Sequence, residues 1–218
     1  MAAASCMPSG PAMLTPSIAA LLLPLLAGAA PPHARLTATL DPLNVSGNTV
    51  FRRPCVSPTL RPGGEAQAAA NTAAVQHSVD SCAAAGGGVV ELPTGDYVVG
   101  CIQLRSKIEL RFGSTYAQRA RLVASSNASL YSSSCDAVLY SSSASSGTAL
   151  TSVAVTGHGA VDGTIAADKL RPLGHKLSTG GSVLFKLAHL CNISTLHLQG
   201  VSFLSSPSWH VHLARGLQ

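Results

Sequence analysis

The sequence predicts a β-rich chain fronted by one helix, on three observations. Val75, Val79 and Cys82 recur at helical spacing with alanines filling the gaps, which gives one narrow face able to lie on a core. Gly86-Gly87-Gly88 then ends the helix. Beyond it Ile102, Leu104, Ile108, Leu110 and Phe112 alternate with Gln103, Arg105, Lys107, Glu109 and Arg111, the pattern of a strand with one dry face. Between helix and strand, Val89 to Pro93 and Tyr97 to Gly100 are two short apolar runs separated by Thr94-Gly95-Asp96. No later stretch carries a helical pattern of comparable quality. A helix followed only by strands fits either a sandwich with the helix packed at one end or a parallel β-helix whose open end the helix covers.

Residues 1–29 read as a secretory signal peptide. The run from Ser17 to Ala30 is apolar but short and broken by Pro24, and Ala27-Gly28-Ala29 supplies small residues for cleavage. A plastid transit peptide is the second reading, and it leaves the leucine cluster unexplained. The run is a poor membrane span, so no membrane association is expected once it is removed. Residues 30–64 form an irregular, Pro- and Gly-containing lead-in, and the cap helix starts near Glu65 or Ala66, opening a domain that runs to residue 218. A secretory route gives meaning to the glycosylation tripeptides at Asn44, Asn127 and Asn192. It also favours disulfides among the five cysteines past the signal, an odd number that leaves one unpaired or paired elsewhere. Cys82, at the helix end, is the best placed for a local bridge, to either Cys55 or Cys101.

Charged residues are 11% and aromatics 4% of the 218 residues, a composition suited to tightly stacked coils of small side chains. The net charge of +5 and pI of about 9.1 suit a polyanionic polymer. Because the basic residues are scattered rather than clustered, nucleic acid is not expected as a partner. No Cys or His spacing is that of a zinc site, and neither a metal nor another cofactor is expected.

Asp80 to Tyr97, DSCAAAGGGVVELPTGDY, resembles the opening signature of polygalacturonase-type glycoside hydrolases, which degrade pectin. The stretch Cys191-Asn192-Ile193-Ser194, then Gly200-Val201, then Ser205-Ser206-Pro207-Ser208-Trp209-His210-Val211-His212 resembles a second block of the same family. The resemblance spans about residues 66 to 213 and is loose from 113 to 182, where Arg171-Pro172 stands further from the next strand than in relatives. It implies an all-β, right-handed parallel β-helix with an N-terminal capping helix, represented only by its first coils and truncated on the C-terminal side. It further implies hydrolysis of galacturonosyl linkages in a pectic or other uronic-acid polysaccharide, by a secreted, cell-wall protein expected to be a monomer.

The family's catalytic groups come from N-T-D and D-D segments, supported by a G-H-G histidine and an R-I-K segment, all after the second block. By the resemblance all four would lie after Gln218, so no catalytic residue is assigned and the chain alone is expected to be inactive. Gly157-His158-Gly159 spells the histidine tripeptide, but His158 lies in an earlier glycine turn and reads as a solvated turn residue. Asp162 and Asp168 read as exposed turn carboxylates rather than a new acid and base pair. His210 and His212 are the candidate substrate-binding residues, and Trp209 is expected in the core beside Val211 and Leu213. A calcium-dependent pectate lyase-like enzyme shares the fold but shows neither its aspartate ligands nor an arginine base here. A non-catalytic polysaccharide-binding module remains the other alternative.

Overall fold

A computed structural model describes residues 53–132, 134–141, 149–164 and 185–214. Residues 1–29, read in the sequence as a signal peptide, most of the expected lead-in, Asn44, Asp168 and the Arg171-Pro172 pair lie outside the described residues.

Helix α1 (Ala68–Ala84) follows a short 3-10 turn over Gly64–Gln67. It buries Ala68, Asn71, Val75, Val79 and Cys82 on one face. After it come β1 (Gly88–Glu91), β2 (Gly95–Val99), β3 (Ile102–Gln103), β4 (Ile108–Arg111), β5 (Ala120–Ala124) and β6 (Ala137–Tyr140). The series continues through β7 (Val153–Thr156), β8 (Ala160–Asp162), β9 (Lys186–Cys191), β10 (Leu196–Gln199), β11 (Ser202–Leu204) and β12 (Val211–Ala214). They make three four-stranded sheets: β1-β4-β7-β10, β2-β5-β8-β11 and β3-β6-β9-β12. Each sheet takes every third strand, so the chain winds through four coils of three strands, a parallel β-helix. Every pairing between these strands of the described residues is parallel, which removes the sandwich alternative. The coils take the right-handed sense that parallel crossovers adopt.

The core is built as columns along the solenoid axis. Val90, Leu110, Val155 and Leu198 stack in register in the first sheet. Tyr97, Leu122, Val161 and Phe203 do so in the second, and Ile102, Leu139, Ala188 and Val211 in the third. Because each parallel strand sits about 4.8 Å from the next, every side chain in a column covers the one below. The glycine turn is a column too: Gly113, Gly157 and Gly200 all have positive φ. A Cβ on Gly157 would come within 2.5 Å of the Gly113 carbonyl oxygen, so only glycine fits where successive coils approach this closely.

The first coil's exposed edge is closed from the N-terminal side. Val89 exchanges backbone hydrogen bonds with Arg53 and Cys55. Along α1, Thr72 Oγ1 accepts from the Gly100 amide at 2.7 Å, and the Gln76 side chain accepts from the Gln103 amide and donates to its carbonyl. Asn71 donates to the Val98 carbonyl at 3.3 Å. The helix thus supplies backbone partners that a further strand would otherwise provide. Disulfides join Cys55 to Cys82 and Cys101 to Cys135, the first fastening the lead-in to the end of α1.

Several boundaries differ from the sequence reading. The alternation from Ile102 to Phe112 is two strands in different sheets, β3 and β4, joined by a turn in which Lys107 has φ 64. Alternation survives the corner because Leu104 and Ile108 both still face the core. The stretch after Ser125 is less superficial than its composition suggests, since Ser125, Tyr131, Cys135 and Asp136 are buried. Strand β9 starts at Lys186.

Candidate functional site

The third sheet carries the most chemically varied face among the described residues. Gln103, Tyr140, His189 and His212 occupy one register column across β3, β6, β9 and β12. Their neighbours Ile102, Leu139, Ala188 and Val211 belong to the core cluster, so strand alternation sends the polar column to the opposite face. The rings touch along it: Tyr140 meets His189 edge-on at 5.3 Å and His189 meets His212 tilted at 4.8 Å between centroids. Trp209 stands edge-on to His212 at 4.9 Å.

Asp136, just before β6, anchors this face from below. Its carboxylate accepts from Lys186 Nζ at 2.7 Å and lies 2.6 Å from His189 Nδ1. Burial pushes the Asp136 carboxyl up, but the bonds from His189 and Lys186 outweigh it and hold the group below the usual carboxylate range. His212 is pulled below the ordinary imidazole value by burial and by its neighbours His189 and Lys186. Its Nδ1 is buried without a hydrogen-bond partner, as is Ser208 Oγ. His210 is exposed. Of the two histidines singled out in the sequence, His212 therefore joins the column and His210 faces solvent beside it.

Trp209 does not lie in the core, contrary to the sequence reading; it is 55% exposed. That reading took the strand to begin at Trp209, whereas β12 begins at Val211 after a turn in which Ser206 Oγ donates to the Trp209 carbonyl. Leu213, expected beside it in the core, stacks on Leu190 in register but is 56% exposed. Asp136, Lys186 and His189 went unnoticed in the sequence because only coil stacking unites them; no local spacing marks them.

Five other carboxylates are tied into the scaffold. Asp162 is buried rather than an exposed turn residue; it accepts from the Thr164 amide and hydroxyl and pairs with Arg121. Arg121 also reaches Asp96 at 3.0 Å, linking β2, β5 and β8. Glu109 takes Arg111 at 2.8 Å and the Thr156 hydroxyl at 2.7 Å, Asp80 takes Arg105 at 2.7 Å, and Glu65 accepts from Ser125 and Ser126. His158 stays in the glycine turn, half-buried, with its ring 4.3 Å from Tyr116. Asn127 is exposed and its side chain accepts from the Ser129 amide and hydroxyl; Asn192 is half-buried at a positive-φ turn.

With its carboxylates held in this way, the third sheet's face offers binding chemistry: an exposed indole beside imidazoles, with a cation behind them. No helix among the described residues is long and apolar enough to cross a membrane.

No family model and no curated protein matches the chain. Among solved structures, a provisionally assigned glycosyl hydrolase from Parabacteroides merdae superposes with a TM-score of 0.53 at 22% identity, over 66% of this chain and 63% of that one. A family 28 exopolygalacturonase from Yersinia enterocolitica matches at TM-score 0.49 and 19% identity, over 67% of this chain and 35% of that one. A hyperthermoactive exopolygalacturonase from Thermotoga maritima matches at TM-score 0.49 and 14% identity, over 73% and 45% respectively. This chain therefore spans less than two thirds of the length of each of these proteins. Its fold is a parallel β-helix similar to that of the Parabacteroides glycosyl hydrolase.

Proposed function

We propose that this chain forms the cap and early coils of a secreted, polygalacturonase-like glycoside hydrolase, and that its third sheet binds a pectic polymer. The observation that carries the proposal is the position of the Ser206-Pro207-Ser208-Trp209-His210-Val211-His212 block. It brings an exposed indole and two imidazoles to the fourth rung of one sheet, where a chain of sugars can run along the solenoid. The indole offers an apolar face to a sugar ring, while His210 and His212 offer hydrogen bonds to hydroxyl and carboxylate oxygens. The net charge of +5 favours a uronic-acid polymer over a neutral one.

Hydrolysis with inversion needs a carboxylic acid and a carboxylate roughly 6.5 to 9.5 Å apart with water between them. The 218 residues contain no N-T-D or D-D segment, and Asp80, Asp96, Glu109, Asp136 and Asp162 are each engaged in an ion pair. On this reading the chain binds the polymer and does not cleave it. Incubation of the purified chain with polygalacturonate is expected to release no reducing ends above a heat-inactivated control. Its migration in a polygalacturonate-containing native gel is expected to be retarded. Reducing-end release would overturn the assignment of inactivity, and unretarded migration would overturn the binding role.

A further inference from the structure

His189, Cys191 and His212 come together although no local spacing links all three. His189 and Cys191 are two apart on β9, and His212 is the register partner of His189 on β12. One potential ligand atom from each lies within 4.8 Å of the others. We infer that His189, Cys191 and His212 form a binding site for a borderline transition-metal cation of the zinc type, with a fourth position open.

The donor set is the first argument. Two imidazoles and a thiol are preferred by zinc and its neighbours over magnesium or calcium. The support behind the donors is the second. Asp136 holds His189 by Nδ1 at 2.6 Å, which directs Nε2 outward, as in carboxylate–histidine–metal arrangements. The third argument is independent of the cluster's composition: His212 Nδ1 is buried without a hydrogen-bond partner, a cost that a metal bond removes. Tetrahedral bonds of about 2.0–2.1 Å to nitrogen and 2.3 Å to sulfur place ligand atoms about 3.3–3.6 Å apart. The 4.8 Å spread therefore closes by about 1.2–1.5 Å on binding, through side-chain rotations that include His212 on half-exposed β12. Lys186 is the nearby cation, and its pairing with Asp136 at 2.7 Å offsets its charge.

The test is titration of the EDTA-treated, disulfide-intact protein with cobalt(II), and separately with zinc(II). One equivalent of cobalt should produce visible d–d bands and a near-ultraviolet sulfur-to-cobalt charge-transfer band, and zinc should raise Tm. Cys191→Ser should abolish the charge-transfer band, and His212→Ala should abolish both the band and the zinc-dependent shift in Tm. Asp136→Asn should weaken cobalt binding by about 10- to 100-fold, while His158→Ala, in the glycine turn, should leave it unchanged. His212→Ala alters a half-exposed side chain, so it reports even if Cys191→Ser fails to fold. Absence of the charge-transfer band in the unmodified protein would overturn the site, as would its persistence in His212→Ala.

Discussion

Replacing Leu110 by alanine tests the column architecture, because Leu110 and Leu198 belong to one stack at different depths. Leu110 is fully buried between Val90 and Val155; Leu198 caps the same stack and is 36% exposed. Truncating a fully buried leucine removes its transfer energy and leaves a cavity, a cost of about 2–5 kcal/mol. Leu198 retains part of its exposure and has no described coil above it to form a cavity, so Leu198→Ala should cost about 1–2 kcal/mol. Urea denaturation followed by far-ultraviolet circular dichroism measures both, with the slope checked so that midpoint changes report stability. Trp209, the only tryptophan, is exposed on the fourth coil and would report poorly on the second. Equal costs, or a larger cost for Leu198→Ala, would refute the stacking order.

Two further perturbations probe the scaffold. Gly157→Ala should destabilise by about 1–3 kcal/mol, since alanine would occupy a left-handed conformation and press on the Gly113 carbonyl; thermal melts showing no loss would contradict the close approach of coils two and three. Asp162 is pushed up by burial, yet its bonds from Thr164 and Arg121 outweigh this and hold its pKa below the ordinary value. A depressed carboxylate stabilises the fold above its unfolded pKa of about 3.9 and loses that contribution as pH falls through the folded value. Asp162→Asn should therefore be less stable than the parent at pH 7, with the gap narrowing below about pH 4; a gap independent of pH in denaturation series would refute this.

Much of the solenoid was legible in local pattern. The spacing of Val75, Val79 and Cys82 and the triple glycine mark a cap, and the glycine turn at Gly157 marks a close approach. The strand corner between Gln103 and Ile108 was not, because inward parity continues through it and leaves no break in alternation. Exposure at Trp209 and Leu213 was also hidden, since pattern reveals which way a side chain points along the column but not whether another coil covers it. The Asp136–His189–His212 assembly joins residues on three successive rungs. Its distances in sequence depend on the loops between strands, so no local motif encodes it.

Trp209 also provides the most direct test of the central claim, that the third sheet of this β-helix binds a uronic-acid polymer without cleaving it. Titration of oligogalacturonate into the purified chain should change the fluorescence of this single indole saturably, weaken with added salt, and leave the number of reducing ends constant. A flat titration would contradict the binding claim, and accumulation of reducing ends during it would contradict the claim that this chain does not cleave.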